Sequence, residues 1–310
     1  MAPAWWLTLA LLTAPDAGLD HFRADAHGTV GDTDTGPLTN GKHYYASNER
    51  DLHLFADDVV DRGGLIVAVA ADPGYILAAW ADADALILVD LDPAIADLHR
   101  IYAAFFRAAD DIAGFRHLWR SDGIAEAHEL IVSAGEARGD ADTLLAIYDE
   151  ARPAIARRFA DLERRMAADD RPWLLSDPEL YTRVAEMVRG GRVYSFRGDL
   201  TRAGIVSDLG RWLDDAELDV SILYLSNVEQ YFMYKQDFRD NMLAVPLADE
   251  SLVLRTLPGR PAGFEYIVQD GADFQARVAD PKVRSVYRVR GLKKGEHLVG
   301  RTRFVVAPAK

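Results

Sequence analysis

Leu65-Ile66-Val67-Ala68-Val69-Ala70 is an apolar run leading into Ala71-Asp72-Pro73-Gly74-Tyr75, and Ala85-Leu86-Ile87-Leu88-Val89-Asp90 repeats the run and ends on a carboxylate. An unbroken apolar stretch of this length, bounded by turn residues, is the pattern of a strand buried on both faces of a parallel sheet. The turn at Asp72-Pro73-Gly74 predicts a helix over 75–80. Strand, tight turn, helix and strand make a βαβ unit.

Working outward, Leu52, Leu54, Phe55, Val59 and Val60 predict a helix over 48–62, with Ser47 or Asn48 as its N-cap, Glu49 or Asp51 in its first turn, and Gly63-Gly64 as its end. Asp92-Pro93 caps a second helix running to about residue 107, with Ile95, Leu98, His99, Tyr102, Phe105 and Phe106 on its apolar side. From 110 to 190 no strand pattern occurs. Helical spacing around 124–132, 144–166 and 178–188, interrupted at Pro153 and Pro172, predicts an inserted helical subdomain. Strands resume over 192–196, 220–225 and 251–255, and 264–269 with 303–306 are expected to close the sheet as an antiparallel edge. The fold class is therefore α/β, a three-layer sandwich around a mostly parallel sheet, in which ligands bind beyond the carboxyl ends of the strands.

The 310 residues are 49% apolar and 27% charged, the composition of a water-soluble globular chain with a sizeable core. A formal net charge of −14 argues against nucleic acid, whose phosphates need a positive field. Basic stretches at 183–202 and 284–303 are the places left for a bound anion or acidic substrate group. With no cysteine, disulfides, thiolate nucleophiles and cysteine metal sites are all excluded. The apolar run of residues 4–12 is too short to span a bilayer and has the length of a signal-peptide core. No Lys or Arg precedes it and no small-x-small site closely follows, so cytoplasm and export both stay open. Residues 1–40 read as leader and tether, and 41–310 as one α/β domain.

Two places carry candidate chemistry. In the loop Ala71-Asp72-Pro73-Gly74-Tyr75, glycine lets a ligand approach the backbone and helix N-terminal amides point outward. Asp90, at the end of the next strand, stands where a carboxylate accepts hydrogen bonds from ribose hydroxyls. Asp90 is also open to the plainer reading of a residue beside a helix cap. His43, His53, His99, His117 and His128 fall in no metal-ligand spacing, so no metal is expected. Gly-x-Ser-x-Gly, Gly-Lys-Ser/Thr and Gly-x-Gly-x-x-Gly signatures are absent, which removes the commonest hydrolase, nucleotide-triphosphatase and dinucleotide-dehydrogenase readings.

Residues 66–98 resemble the opening of a class I, Rossmann-like S-adenosylmethionine-dependent methyltransferase: an apolar strand, a turn ending Pro73-Gly74-Tyr75, then Val89-Asp90-Leu91-Asp92-Pro93. Phe196-Arg197-Gly198-Asp199 resembles the third-strand segment, and the stretch 218–227, ending Tyr224-Leu225-Ser226-Asn227, the fourth strand and its loop. The resemblance covers 41–257 without the helical stretch and suggests a bacterial branch of the superfamily. It implies S-adenosylmethionine as cofactor, with Ala71, Asp72, Gly74 and Tyr75 around its methionine end, Asp90 at the ribose, Asp199 at the adenine, and Ser226 and Asn227 by the donor carbon.

After the fourth strand, Asn227 is the candidate to hold an acceptor, and Glu229 or Tyr231 to remove its proton as general base. Ser226 and Asn227 equally read as a helix cap, and Tyr231 as core. Tyr44, Tyr45, Asn48 and Glu49 are expected as a lid or substrate edge, since a segment before the first helix often covers the cofactor in this superfamily. The expected acceptor is a small molecule or lipid head group. Two alternatives stay open. The layout is similar to betaine-lipid-type aminocarboxypropyl transferases, which use the same cofactor and place helices between their second and third strands. The single glycine of the first loop suits a non-catalytic binding protein that kept the fold.

Overall fold

The run 65–69 is buried along its whole length because it lies mid-sheet, with neighbours on both sides and side chains covered on both faces. In the computed structural model, which describes residues 42–258, 263–289 and the backbone of 303–306, this run is β1 (Leu65–Val69). The other strands are β2 (Ala85–Asp90), β3 (Val193–Arg197), β4 (Val220–Tyr224), β5 (Leu247–Pro258), β6 (Phe264–Asp270) and β7 (Arg303–Val306). The sheet order is β3-β2-β1-β4-β5-β6-β7. β1 to β5 are mutually parallel, β6 runs antiparallel to β5, and β7 runs parallel to β6. The expected leader lies outside the described residues.

Alternation along the strands divides the interior in two. Ile66, Ala68, Leu86, Leu88, Ile222, Tyr224 and Leu254 point into one core. Leu65, Val67, Ile87, Val89, Leu223, Leu225 and Val253 point into the other. The first core is roofed by α1 (Ala56–Val59), α2 (Pro73–Ala81), α3 (Pro93–Ala108) and the helices between β2 and β3: α4 (Ile112–His117), α5 (Ile124–Glu136), α6 (Ala141–Ala168) and α7 (Pro178–Arg189). The second is roofed by α8 (Ile205–Asp215), α9 (Gln236–Ala244), α10 (Gly271–Ala279) and α11 (Val286–Val289). Helices on both faces of a mostly parallel sheet are compatible with a three-layer sandwich. The helices between β2 and β3 share one continuous core with the sheet, and Phe106 stacks on Phe115 at 4.3 Å.

Local chemistry sets the helix starts. Asp92 caps α3, accepting from the amide of Ala94 at 3.0 Å with Pro93 in the first turn. Asp177 does the same for α7 with the amides of Glu179 and Leu180.

Two helix expectations are corrected. Only a 3-10 turn (Leu52–Phe55) and the short α1 form within 48–62, because Glu49 is drawn into the interior by hydroxyl partners and cannot sit in an exposed first turn. Pro153 does not interrupt its helix: α6 runs unbroken through it. A proline inside a helix costs about 3 kcal/mol. Leu144, Ile147 and Tyr148 before it and Ile155, Leu162 and Met166 after it are buried in the same core, and roughly 1.5–3 kcal/mol per buried apolar side chain outweighs that cost.

Candidate functional site

The chain winds outward from β1 to β2 and β3, then returns to place β4 and β5 on the opposite side, so the winding reverses between β1 and β4. At such a reversal the connections leave the sheet in opposite directions and open a crevice at the carboxyl ends of the strands. Just past both strands stand non-glycine residues in the left-handed region, Ala70 one residue after β1 at φ 76° and Ser226 two after β4 at φ 50°. Each costs of the order of 1–2 kcal/mol and persists only where surrounding contacts hold it.

The contacts at Ser226 centre on Glu49. Its carboxylate is fully buried and accepts hydrogen bonds from the hydroxyls of Ser226 at 3.0 Å, Ser47 at 2.8 Å, Tyr224 and Thr256. Tyr224 is the last residue of β4 and Thr256 lies near the end of β5, so residues 47–49 are fastened across two strand ends. Burial, with Glu49 beside it, pushes the Tyr224 phenol well above its ordinary value, so it stays a donor. Next to this group, Asp72 accepts the Ser47 amide at 2.9 Å and pairs with Arg158 of α6 at 2.9 Å, both side chains being buried. Burial alone lowers the pKa of Arg158, but Asp72, with Glu49 and Tyr224 nearby, more than reverses this and holds it raised.

On the β2 side, Asp90 accepts the Asp92 amide at 2.9 Å and lies by the amides of Ala70 and Leu91. Burial pushes its carboxyl up to about 6. Asp92 also binds His43 at 2.7 Å, which ties the start of the 42–51 segment to the other end of the crevice. Residues 43–49 thus link Glu49 and the Asp72–Arg158 pair on one side to Asp90 and the Asp92–His43 pair on the other. Glu49, Asp72 and Asp92 are buried and held by protein partners, and Asp90 is the half-buried carboxyl of the group.

The remaining expected residues are placed as follows. Ala71 is buried beside Asp72. Gly74 lies on the sheet side of α2, where an added Cβ would stand 2.6 Å from Leu88 Cδ2 and 3.2 Å from Ala68 Cβ, so its role is close helix-to-strand packing. Tyr75 lies in the aromatic core, stacked on Tyr102, with its hydroxyl 3.2 Å from His99 Nδ1. Burial pushes His99 down to about 3, so it is neutral. Asp199 accepts from the amide and hydroxyl of Thr201 and pairs with Arg202 at 3.3 Å. Asn227 is partly buried at the start of a 3-10 turn (Val228–Tyr231). Glu229 does not join the crevice: it pairs with Arg255 at 3.2 Å and accepts from the Tyr234 hydroxyl, on the opposite face of the sheet. Tyr231 is 56% exposed. Tyr44 is exposed, Tyr45 is buried with its hydroxyl on Glu150 at 3.0 Å, and Asn48 is exposed.

The sequence reading missed Arg158, Tyr224, Thr256 and Ser47. Arg158 had a signal, since it falls on the apolar stripe of α6 with Ile155, Phe159 and Leu162, where an arginine needs a buried partner. Beside this group opens a cavity of about 750 Å³ between residues 46–51, α6 and the start of β6, lined by Asn48, Arg50, Arg157, Arg158, Arg164 and Tyr266 among others. A second, of about 540 Å³, lies between His43, Tyr45, the start of α3 and the start of α6. Neither falls in the basic stretches singled out in the sequence.

A family model described as a domain of unknown function, DUF7790, matches residues 44–300. The chain belongs to the DUF7790 family. The match begins at Tyr44, so the DUF7790 domain includes the segment fastened over the strand ends as well as strands β1 to β6 and the helices between β2 and β3. No curated protein matches the chain. Among the described residues, no helix of this DUF7790 chain is long and apolar enough to cross a membrane, and no group of three or more His, Asp or Glu could hold a metal.

Proposed function

We propose that this DUF7790 domain is a Rossmann-like, S-adenosylmethionine-dependent transferase acting on a small molecule or lipid head group. The observation that carries the reading is the reversal of the winding between β1 and β4, with the half-buried Asp90 carboxyl at the end of β2 beside it. A mostly parallel sheet takes its ligand at such a reversal, and a carboxyl at the end of the second strand suits the hydroxyls of a ribose. When bound, the cofactor supplies an electrophilic carbon on sulfur. The chain's own part is to orient and to exclude water. Asp90 is positioned to accept ribose hydroxyls, the left-handed Ala70 turns the backbone toward the crevice, and residues 42–51 cover it. Glu229, held by Arg255, is left out of this chemistry, and no general base is required for alkyl transfer to an unprotonated acceptor.

Calorimetry with S-adenosylmethionine and S-adenosylhomocysteine tests the reading. Saturable heat that Asp90→Asn weakens supports it; no heat at millimolar ligand sinks it. Two specific observations keep the alternatives in view. Helices between β2 and β3 favour aminocarboxypropyl transfer, for which mass spectrometry finds methylthioadenosine as by-product in place of adenosylhomocysteine. The engagement of Asp72 by Arg158, Gly74 by Leu88 and Tyr75 by His99 favours a domain that kept the framework without the cofactor, the outcome that absent heat selects.

A further inference from the structure

Arg158 is 6% exposed and lines the 750 Å³ cavity. Its Nε is taken by Asp72, which fixes the plane of the guanidinium, while Nη2 is buried with no hydrogen-bond partner among the described residues. A buried, fixed and incompletely satisfied guanidinium is costly unless something completes it. The nearby carboxylates cannot: Asp72 is shared between Arg158 and the Ser47 amide, and both Glu49 oxygens are occupied by hydroxyls.

The rest of the lining points the same way. Four arginines, 50, 157, 158 and 164, face two aspartates, 51 and 161, giving a local excess of two positive charges in a chain of net charge −14. Both aspartates are already bound by Arg165 at 3.0 Å. Arg164 is held by Asp161, while Arg50, which acts on Asp161 through its charge alone, and Arg157 are exposed and make no hydrogen bond or contact ion pair among the described residues. An anchored guanidinium at the floor with two free ones at the rim is the arrangement that grips an oxyanion by several charge-assisted hydrogen bonds.

We infer that this cavity binds a small molecule through a phosphate or carboxylate group, held by Arg158 with Arg50 and Arg157 at the rim. The inference shares Arg158 and its partner Asp72 with the group beside the strand ends but stands apart from the cofactor reading, because its ligand is an anion and its rim residues, Arg50 and Arg157, take no part in that reading. Thermal unfolding of the full chain, without S-adenosylmethionine, is followed against inorganic phosphate and against glutarate, with sodium chloride holding ionic strength constant. A ligand that binds only the native state raises the Tm saturably. The expected result is such a rise with one or both anions, weakened about tenfold in half-saturating concentration by the double variant R50Q/R157Q, since each charge-assisted contact is strong. R158K abolishes the rise if it folds, and the rim variant, whose residues are exposed, serves if it does not. Phosphate alone assigns a phosphate ester, glutarate alone a carboxylate, and both the shared oxyanion chemistry. Shifts no larger than those of chloride, or a response that R50Q/R157Q leaves unchanged, overturn the inference.

Discussion

Two buried glutamates lie near the carboxyl ends of β4 and β5, on opposite faces of the sheet, and their surroundings differ in kind. Glu49 sits among four hydroxyls, one ion pair away from an arginine whose outer nitrogen borders a cavity. Glu229 faces Arg255 at 3.2 Å, and Arg255, fully buried over the Phe274 ring, makes no hydrogen bond through any of its three nitrogens among the described residues. Glu49 is satisfied by hydrogen bonds from hydroxyls, whereas Glu229 is set charge against charge with Arg255. A closed ion pair cancels its own field and contributes to fixing how α10 meets the sheet. The lesson is that buried charge points to a site where a cavity adjoins it, as at Arg158.

The largest effect that tests this contrast is removal of one partner from the closed pair. Burial raises the Glu229 pKa against the opposing pull of Arg255, so the pair is already costly to maintain. Glu229→Ala leaves Arg255 buried and alone and is expected to destabilise the fold by about 3–5 kcal/mol in urea denaturation. Glu229→Leu combined with Arg255→Met should recover most of that loss, because an apolar pair of similar volume is tolerated there. A double variant as unstable as the single would show that the pair does more than pack.

Glu49→Gln acts on the open cluster and is expected to cost less, about 2–3 kcal/mol, since an amide group replaces one oxygen and confronts hydroxyls that need an acceptor. Its distinguishing readout is local. Hydrogen exchange at the Ser47 amide, which Asp72 now holds, should speed up in the variant, and cofactor heat should fall with it. Unchanged exchange would mean that the 42–51 segment is held by its His43 and Tyr45 contacts instead.

The sheet was legible in the sequence because its central strands are apolar on both faces, and a run such as 85–90 admits few other environments. The cluster was not legible, because Glu49, Arg158, Tyr224 and Thr256 come from four distant parts of the chain and nothing local announces their meeting. Glu49 read both as a helix-start acid and as part of a lid or substrate edge, and only the tertiary demand of the hydroxyls at the ends of β4 and β5 pulls its segment out of the helical path. Glu229 misled for the opposite reason. It follows a buried strand directly, where the fold presents ligands, yet the residues after β4 turn its side chain toward the second core.

Gly74 decides to which kind of region the first loop belongs. A methyl group there meets Leu88 at 2.6 Å in a fully buried contact, so Gly74→Ala is expected to destabilise the protein by about 1–3 kcal/mol with no ligand present. A variant of native stability that binds the cofactor less well would instead place the glycine on the ligand side.

The smallest effect concerns Asp90, and its sign separates the crevice from an inert strand end. The folded carboxyl titrates at about 6, above its ordinary value of 3.8, because burial disfavours the charge. The native state therefore holds a proton that the unfolded state has released, and stability from this group is full below pH 4 and lost as pH rises through 6. Discounted for partial exposure, the loss is about 1–2 kcal/mol, read as the stability difference between the wild type and Asp90→Asn at pH 3.5 and pH 7. Ribose hydroxyls donating to Asp90 favour the charged form, so cofactor affinity should move the other way and rise between pH 5 and 7. Affinity that stays flat over this range while stability falls would leave Asp90 a half-buried acid with no ligand, and the crevice would join the Glu229 pair as framework.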